Sequence, residues 1–240
     1  DLVDIGDRSL FFHCEGSTGP TVLLEAGLTG DHRTWESVIP GLPADTRVCA
    51  YDRANIAPSD LASKPRTAQD AVDDLEALLD AAEEPAPYVM VGFSFGGIIT
   101  QLYAAEHPDD IAALVLVESN HPDEADLFAA HLTPDQIAAD HAEADANPEG
   151  IDIFGSFEQV QAAGPLPQVP LVVVTATESI EWPPGWDAAL FGQLRGQLQA
   201  DLATLVPGGT QVFADGSGHH VPQERPAVVI DAITSVLRGE

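Results

Sequence analysis

Short apolar segments alternate along the chain with longer segments in which apolar residues recur every three or four positions. Eight of the short segments have the length of β-strands: 2–6, 9–16, 21–27, 46–52, 87–93, 111–119, 170–176 and 210–216. The first two are joined by Asp7-Arg8 and predict a hairpin. The other six are almost continuously apolar, which is typical of strands buried on both faces of a parallel sheet.

Helices are predicted where the apolar period lengthens to three or four residues. Residues 67–82, 187–205 and 226–238 each place their apolar side chains on one face, and we expect these faces to pack on the sheet. Strands that alternate with helices predict a three-layer α/β fold, with a mostly parallel sheet and right-handed crossover connections.

One segment interrupts this alternation between two core strands. Residues 121–167 contain patterns for two or three short helices and no strand, and an excursion of this length is typical of a lid. We therefore expect a single domain, in which residues 1–120 and 168–240 form the core. Residues 121–167, called the lid segment below, form a small helical insertion.

The junction after the fifth apolar segment places a serine in an unusual setting. Gly92-Phe93-Ser94-Phe95-Gly96 ends one apolar run and opens another, which fits the G-x-S-x-G pattern of a nucleophile elbow. In such a turn the serine takes a positive φ, and the two glycines avoid collisions with neighbouring backbone. A nucleotide-binding loop is the competing interpretation, but neither of its glycine spacings occurs in the chain.

A serine nucleophile needs a base, and His219 has the most suitable setting among the eight histidines. It lies in the sequence SGHHVP, after the last predicted strand and before the last predicted helix. Loops at the carboxyl ends of strands are where α/β sheets place their chemistry. The adjacent His220 is the alternative.

With these two motifs, the whole chain resembles the α/β-hydrolase fold family, in its serine esterase and lipase branch. In that family an acid and a proline follow the catalytic histidine by five and seven positions. Here these are Glu224 and Pro226, which select His219 over His220, and the resemblance implies a structural role for Glu224. The sequence YDR at 51–53 is also similar to the family pattern, although the glycines that usually follow it are absent.

The resemblance also implies a carboxylate that orients the histidine. In the usual position, after the seventh strand, the family aspartate aligns with Ser179, and Glu178 is its neighbour. Other members carry the acid after the sixth strand, where this chain has Glu118 at the end of a very apolar segment. A charge there is costly without a partner, so we favour Glu118 over Glu178, with Asp215 as a third candidate.

Two backbone N–H groups are implied for the oxyanion hole, those of Phe95 and of Leu28 in the loop after the third strand. The usual His-Gly pair of that loop is replaced by Glu25-Ala26-Gly27. Glu25 is either a hydrogen-bond acceptor behind the site or a structural acid. The apolar residues expected to line a substrate pocket are Phe93, Phe128, Leu132, Phe154 and Trp182.

The charge balance narrows the possible partners. The chain contains 39 acidic and 9 basic residues, dispersed over a surface that we expect to be solvated. Without a basic patch, nucleic acid is not an expected partner. No apolar run is long enough to span a membrane, and no spacing of cysteine, histidine or acidic residues indicates a metal site. The sequence does not indicate an oligomeric state.

The two cysteines have two interpretations. Family topology places the second strand beside the fourth, and thus Cys14 near Cys49. The pair forms either a disulfide or two buried free thiols. A disulfide would favour a secreted location over a cytoplasmic one, because such bonds persist in oxidising compartments.

These expectations together predict a cofactor-independent serine hydrolase that acts on carboxylic esters or lactones through an acyl-enzyme. Perhydrolase activity, carbon–carbon bond hydrolysis, acyl transfer and cyanohydrin cleavage use the same triad and are alternatives. A small-ligand receptor that retains the pocket with weak turnover is an alternative from another class, because fold does not determine function.

Overall fold

The computed structural model describes residues 1–239 and contains one eight-stranded sheet. Its strands are β1 (Leu2–Asp4), β2 (Ser9–Glu15), β3 (Thr18–Glu25), β4 (Thr46–Asp52), β5 (Tyr88–Phe93), β6 (Ile111–Val117), β7 (Leu171–Ala176) and β8 (Thr210–Ala214). The order in the sheet is β1-β2-β4-β3-β5-β6-β7-β8. β2 is antiparallel to β1 and β4, and the other neighbours are parallel. The predicted hairpin and the mostly parallel sheet are confirmed.

Helices cover both faces of this sheet. They are α1 (Ala68–Ala81), α2 (Gly96–Glu106), α3 (Glu124–Ala129), α4 (Pro134–Asp145), α5 (Ile153–Ala162), α6 (Ala188–Leu202), α7 (Val221–Glu224) and α8 (Pro226–Arg238). Three short 3₁₀ helices lie at His32–Trp35, Ile39–Gly41 and Pro108–Asp110. The three helices predicted from periodicity correspond to α1, α6 and α8, within three residues at each end.

Alternation along the strands divides the core into two layers. On β5, Tyr88 and Met90 pack with α1 and α2, whereas Val89, Val91 and Phe93 pack with α8 on the other face. Because successive strand residues point to opposite faces, a fully apolar strand supplies both layers at once. This explains why the segments of the central strands are almost continuously apolar.

Within the described residues, the lid segment contributes α3, α4 and α5 and no strand of the main sheet. Two contacts attach it to the core near the start of α1. Ile151 forms a short parallel bridge with Arg66, and the Ser156 hydroxyl accepts a hydrogen bond from the Ala68 N–H, 2.8 Å, at the start of α1. Phe157 is buried in the same core layer as α1 and α2.

Cys14 and Cys49 face each other across the antiparallel β2–β4 pair and are joined by a disulfide. The bond closes a sequence separation of 35 residues. Of the two interpretations given above, the structure therefore shows the disulfide. Among residues 1–239, none of the helices has both the length and the apolar composition needed to cross a bilayer.

Candidate active site

Ser94 lies in the sharp turn between β5 and α2 and has a φ of 54°. Its N–H donates to the Val117 carbonyl at the end of β6, 3.1 Å, which fixes the turn against the neighbouring strand. A Cβ on Gly92 would lie 2.7 Å from the Gly96 carbonyl oxygen, and one on Gly96 would lie 2.6 Å from the Glu25 carbonyl oxygen. Any side chain at these two positions would displace backbone, so the turn requires both glycines.

His219 lies in the loop between β8 and α7, and its Nε2 is 2.9 Å from the Ser94 Oγ. Glu224 holds this loop in place, since its carboxylate accepts from the Gly218 N–H, 2.7 Å, and from the Ser217 hydroxyl, 3.0 Å. Glu224 therefore supports the backbone beside the imidazole. The neighbouring His220 is exposed and makes no side-chain hydrogen bond within residues 1–239.

The surroundings of His219 favour its neutral form. Burial lowers the pKa of His219 to about 4, and the charges on Arg195 and His220 act in the same direction, against a smaller opposite effect of Glu224. The Phe93 ring lies against the imidazole, with 5.1 Å between ring centroids. A neutral imidazole is the form that accepts a proton from a serine hydroxyl.

Glu118 lies directly after β6, is 1% exposed and has a φ of 46°. Its Oε2 accepts from the Ala176 N–H at the end of β7, 2.5 Å, and its Oε1 forms an ion pair with Arg195 of α6. The arginine is the partner that this charge requires in an apolar strand end. Glu118 directly follows Val117, whose carbonyl accepts from the Ser94 N–H, so the ion pair lies beside the serine turn.

The other candidate acids lie on the surface. Glu178 is exposed, and its N–H donates to the Ser217 carbonyl, 2.9 Å, beside the His219 loop. Asp215 is exposed in the turn after β8. Within residues 1–239, the Nδ1 of His219 has no hydrogen-bond partner, so the structure brings together the serine and the histidine but joins none of the three acids to the imidazole.

Two backbone donors lie free next to Ser94. Among the described residues, neither the Leu28 N–H nor the Phe95 N–H donates a hydrogen bond. Phe95 directly follows the serine at the start of α2, and a Cβ on Gly27 would lie 3.2 Å from the Ser94 Cβ, which places the Leu28 loop against the serine. Unpaired N–H groups in such positions suit a negatively charged oxygen.

A cavity of about 470 Å³ opens between the core and the lid segment. Ser94 and His219 do not line it, but Leu28 and Asn120 do, and the Asn120 N–H donates to the Ser94 carbonyl, 3.2 Å, so part of the cavity wall contacts the serine turn. Aromatic side chains from the lid segment and from the loop after β7 form its walls: Phe128, Phe154, Phe157, Trp182 and Trp186.

Three of the five predicted pocket residues line this cavity, and two do not. Phe128, Phe154 and Trp182 contribute to its walls. Phe93 is directed to the α8 face by the alternation of β5 and supports the imidazole, while Leu132 packs into the cluster around Phe128. The sequence pattern does not show which face of the sheet carries the His219 loop, or where Leu132 packs within the lid segment.

Arg195 and Glu124 are site residues that the sequence interpretation missed. Glu124 lines the cavity and accepts from the Asn120 side-chain amide, 3.0 Å, and burial raises its pKa to about 7. Arg195 had a sequence signal, since it is the only basic residue between Arg66 and Arg225 and follows Leu194 in an apolar helix pattern. An isolated arginine in such a setting indicates a buried carboxylate partner.

Metal-binding capacity is limited in the part of the chain that the structure describes. There, the one group of three closely spaced histidine, cysteine or acidic ligand atoms comprises Cys14, Cys49 and Glu84. Both sulfur atoms are already bonded in the disulfide, so neither is available as a thiolate ligand.

Comparison with known proteins adds the family. The family described as alpha/beta hydrolase fold matches residues 20–230. Lipase LipV of Mycobacterium tuberculosis is 30% identical in an alignment that covers 92% of this chain and 95% of LipV. The uncharacterized protein YqjL of Bacillus subtilis is 28% identical over 231 residues, which cover 93% of this chain and 86% of YqjL.

The fold is also found in solved structures. The enol-lactonase from Burkholderia xenovorans LB400 superposes with a TM-score of 0.72 at 19% identity, covering 99% of this chain and 100% of that one. This likeness agrees with the eight-stranded, mostly parallel sheet described above. The chain therefore belongs to the α/β-hydrolase fold family, a membership that indicates a hydrolytic function.

Proposed function

We propose that this protein is a serine hydrolase that cleaves carboxylic esters or lactones through an acyl-enzyme intermediate. The observation that carries the proposal is the 2.9 Å hydrogen-bond distance between His219 Nε2 and Ser94 Oγ, beside two unpaired backbone N–H groups. A nucleophile, a neutral base and oxyanion donors around one point are the components that acyl transfer needs.

The acylation step uses the serine and the histidine. As Ser94 Oγ attacks the substrate carbonyl carbon, His219 Nε2 takes the hydroxyl proton. The carbonyl oxygen becomes an oxyanion and accepts hydrogen bonds from the Leu28 and Phe95 N–H groups. The bond to the leaving oxygen then breaks, and that oxygen takes the proton from Nε2.

Deacylation reverses the roles with water. His219 Nε2 takes a proton from a water molecule as the water oxygen attacks the acyl carbon, and Ser94 Oγ leaves and recovers that proton. The free acid is released and the resting pair is restored. For a lactone the alcohol and the acid are the two ends of one product.

Glu118 is our proposed third group. It is a buried carboxylate that pairs with Arg195 and directly follows Val117, whose carbonyl accepts from the Ser94 N–H. Its positive φ, like that of Ser94, is uncommon for a residue other than glycine and recurs at functional sites. In this role Glu118 would stabilise the imidazolium that forms in the transition state.

The cavity supports a substrate with an apolar part. Aromatic side chains form much of its wall, and a ligand seated there would lie beside Leu28 and Asn120, next to the serine. LipV is named a lipase and the Burkholderia structure an enol-lactonase, and both names agree with ester or lactone substrates.

A chromogenic short-chain ester assay on the wild type and on Ser94→Ala tests the proposal. We expect steady turnover that falls by about 10⁴-fold or more in the variant, because the acyl-enzyme no longer forms. Ser179→Ala is the matched control, since Ser179 is exposed and, within residues 1–239, its hydroxyl bonds only to the neighbouring Ile180 carbonyl. A fluorophosphonate probe should label Ser94, as shown by peptide mapping.

Two results would contradict the proposal. Full turnover by Ser94→Ala, or a probe adduct on another residue, would remove the serine from the chemistry. Ligand binding to the cavity without turnover by the wild type would instead support the receptor alternative.

A further inference from the structure

The loop that carries the Leu28 N–H rests on a buried arginine. Arg53, directly after β4, is 5% exposed and donates from all three of its nitrogen atoms. Nη1 donates to the Ala26 carbonyl, 2.7 Å, and Nη2 donates to the Gly27 carbonyl, 2.7 Å. Two successive peptide carbonyls of the loop are therefore fixed by one guanidinium group.

Two carboxylates hold this guanidinium group. Glu25, 1% exposed, pairs with Nη1 and also accepts from the Tyr51 hydroxyl. Glu149, 0% exposed, accepts from Arg53 Nε, 2.6 Å, and from Nη2, 3.0 Å. The guanidinium thus uses five N–H donors, which is its full capacity. Burial lowers the pKa of Arg53, but the charges of Glu149 and Glu25 outweigh this and raise it above its ordinary value.

The contact between Arg53 and the Gly27 carbonyl also determines the direction of the Leu28 N–H, because both groups belong to one planar peptide. The Gly27–Leu28 peptide is not among the cis bonds of the chain, so its C=O and N–H point in opposite directions. With the Gly27 carbonyl held by Arg53, the Leu28 N–H must point away from the arginine. The Gly27 backbone also lies against Ser94. The Gly27–Leu28 peptide therefore contacts the arginine through its carbonyl and lies next to the serine.

The next peptide is fixed from the lid segment. The Thr29 N–H donates to Glu149 Oε2, 2.7 Å, so one carboxylate holds both the arginine and the loop. The backbone of Glu149 is itself attached to the core, because its carbonyl accepts from the Asn55 side-chain amide, 2.9 Å. Glu149 is separated from Arg53 by 96 positions and comes from the insertion between β6 and β7.

From these contacts we propose that Arg53 and Glu149 are positioning residues. They orient the Leu28 N–H toward the oxyanion and couple the lid segment to the oxyanion site. The inference rests on the proposed function, since an oxyanion forms only if Ser94 attacks a carbonyl group. Glu25 then belongs to the same network as an acceptor behind the site, one of the two roles considered for it above.

A second ion pair, with a buried carboxylate and a half-buried arginine, provides the control. Arg47 pairs with Glu84, which is 7% exposed and also accepts from the Thr21 hydroxyl, 2.5 Å. Thr21 and Arg47 lie in the first halves of β3 and β4, at the opposite end from the serine turn. Glu84→Gln therefore removes a comparable charge without touching the Leu28 loop.

The kinetic test compares Glu149→Gln and Arg53→Lys with Glu84→Gln in the ester assay. In Glu149→Gln, the side-chain amide directs its own N–H toward one of the N–H groups from which the carboxylate accepts a hydrogen bond. In Arg53→Lys, the ammonium group lacks the planar set of donors that binds both loop carbonyls. We expect kcat to fall by about 10- to 100-fold in both variants, less than the loss of a whole oxyanion donor, with KM within about threefold. Glu84→Gln should keep the wild-type kcat.

Amide hydrogen exchange gives a readout that does not depend on turnover. In Glu149→Gln, we expect faster exchange in peptides that cover residues 26–30 and also in those that cover 146–152, while Glu84→Gln leaves both unchanged. Glu149→Asp, which keeps the charge on a shorter side chain, should give an intermediate result if Glu149→Gln folds poorly.

The outcomes separate the two proposals. Turnover that survives Ser94→Ala would overturn the proposed function, and the exchange data would still decide whether Glu149 couples the lid segment to the loop. Serine-dependent turnover with an unchanged kcat in Glu149→Gln and Arg53→Lys would overturn the positioning role. A rise in KM alone would also contradict it, because it would assign these residues to substrate binding.

Discussion

An arginine lies on each side of Ser94: Arg53 is buried and holds the backbone of a loop, whereas Arg195 is half-buried and acts on the charge of the imidazole. On the oxyanion side, Arg53 is surrounded by two carboxylates and two peptide carbonyls and fixes the backbone. On the base side, Arg195 binds Glu118, and its charge helps to keep the imidazole of His219 neutral. Fewer acceptors surround this second arginine, and burial lowers its pKa to about 10.

The different surroundings of Arg53 and Arg195 suit the different requirements of an oxyanion donor and of a base. An oxyanion donor is effective only when it is aimed before the charge develops, so a rigid network suits that side. A base must change its charge during the reaction, so nearby charges have a direct effect on it. On this interpretation, substitutions on the oxyanion side change kcat at every pH, whereas those around Arg195 change the pH at which the protein works.

The largest expected effect is on the base itself. His219→Ala should lower kcat/KM for an ester by about 10⁴-fold or more, because no other described group accepts the Ser94 proton. His220→Ala, its neighbour, should change kcat/KM by less than about threefold, since His220 is exposed. Steady-state kinetics on both variants measures this, and a reversed order would show that the wrong histidine was selected.

The next effect concerns the carboxylate. If Glu118 stabilises the imidazolium, Glu118→Gln should lower kcat by about 10²- to 10⁴-fold, and Glu178→Gln should leave it nearly unchanged. Glu118→Gln also removes the charged partner of Arg195, which could lower the stability of the fold. Thermal unfolding of both variants separates such a loss of stability from a loss of catalysis. Equal activities in folded Glu118→Gln and Glu178→Gln would assign the third role to neither glutamate.

A smaller effect is expected in the pH dependence. Burial and the charge of Arg195 lower the pKa of His219 to about 4, so activity should persist well below the ordinary histidine pKa. Arg195→Gln removes the second cause, and the acidic limb of kcat/KM should move to higher pH. Arg238→Gln, at the exposed end of α8, is the control and should leave the pH profile unchanged. If the acidic limb of Arg195→Gln stays at the wild-type pH or moves to lower pH, the electrostatic role is contradicted.

The smallest effect on activity is expected for the disulfide. Replacing Cys14 and Cys49 by alanine should lower the free energy of unfolding by about 2–4 kcal/mol and the melting temperature by roughly 4–16 °C. The bond joins β2 to β4 and contacts neither Ser94 nor His219, so kcat should be unchanged. Calorimetry and kinetics test the two parts, and two alkylated thiols in the unreduced native protein would show that no bond exists.

The sequence predicted best those features that depend on residues within a single strand, helix or turn. The apolar segments and the three-residue and four-residue periods specified the strands and α1, α6 and α8. The glycines around Ser94 specified the turn, because close backbone approach excludes other residues there. The meeting of His219 with Ser94, 125 positions apart, was also predictable, because parallel strands gather their carboxyl ends at one edge.

Pairings between side chains were not predictable in this way. The chain offers 39 acidic residues to 9 basic ones, so charge alone cannot select the partners of Arg53 or Arg195. The lid segment was recognised as an insertion, yet nothing local indicated that Glu149 returns to the loop at Leu28. Nor did the pattern show that Phe93 supports the imidazole while Trp182 lines the cavity.

The sequence by itself determined the order of strands and helices and the serine turn, since these follow from steric rules and periodicities within a few neighbouring residues. The choice of His219 came from the resemblance to the α/β-hydrolase family. Only the tertiary structure decided that Glu118 binds Arg195, that Arg53 and Glu149 hold the Leu28 loop, and that the two cysteines are bonded. Those contacts depend on side-chain rotamers and on the relative placement of distant elements, which no local pattern encodes.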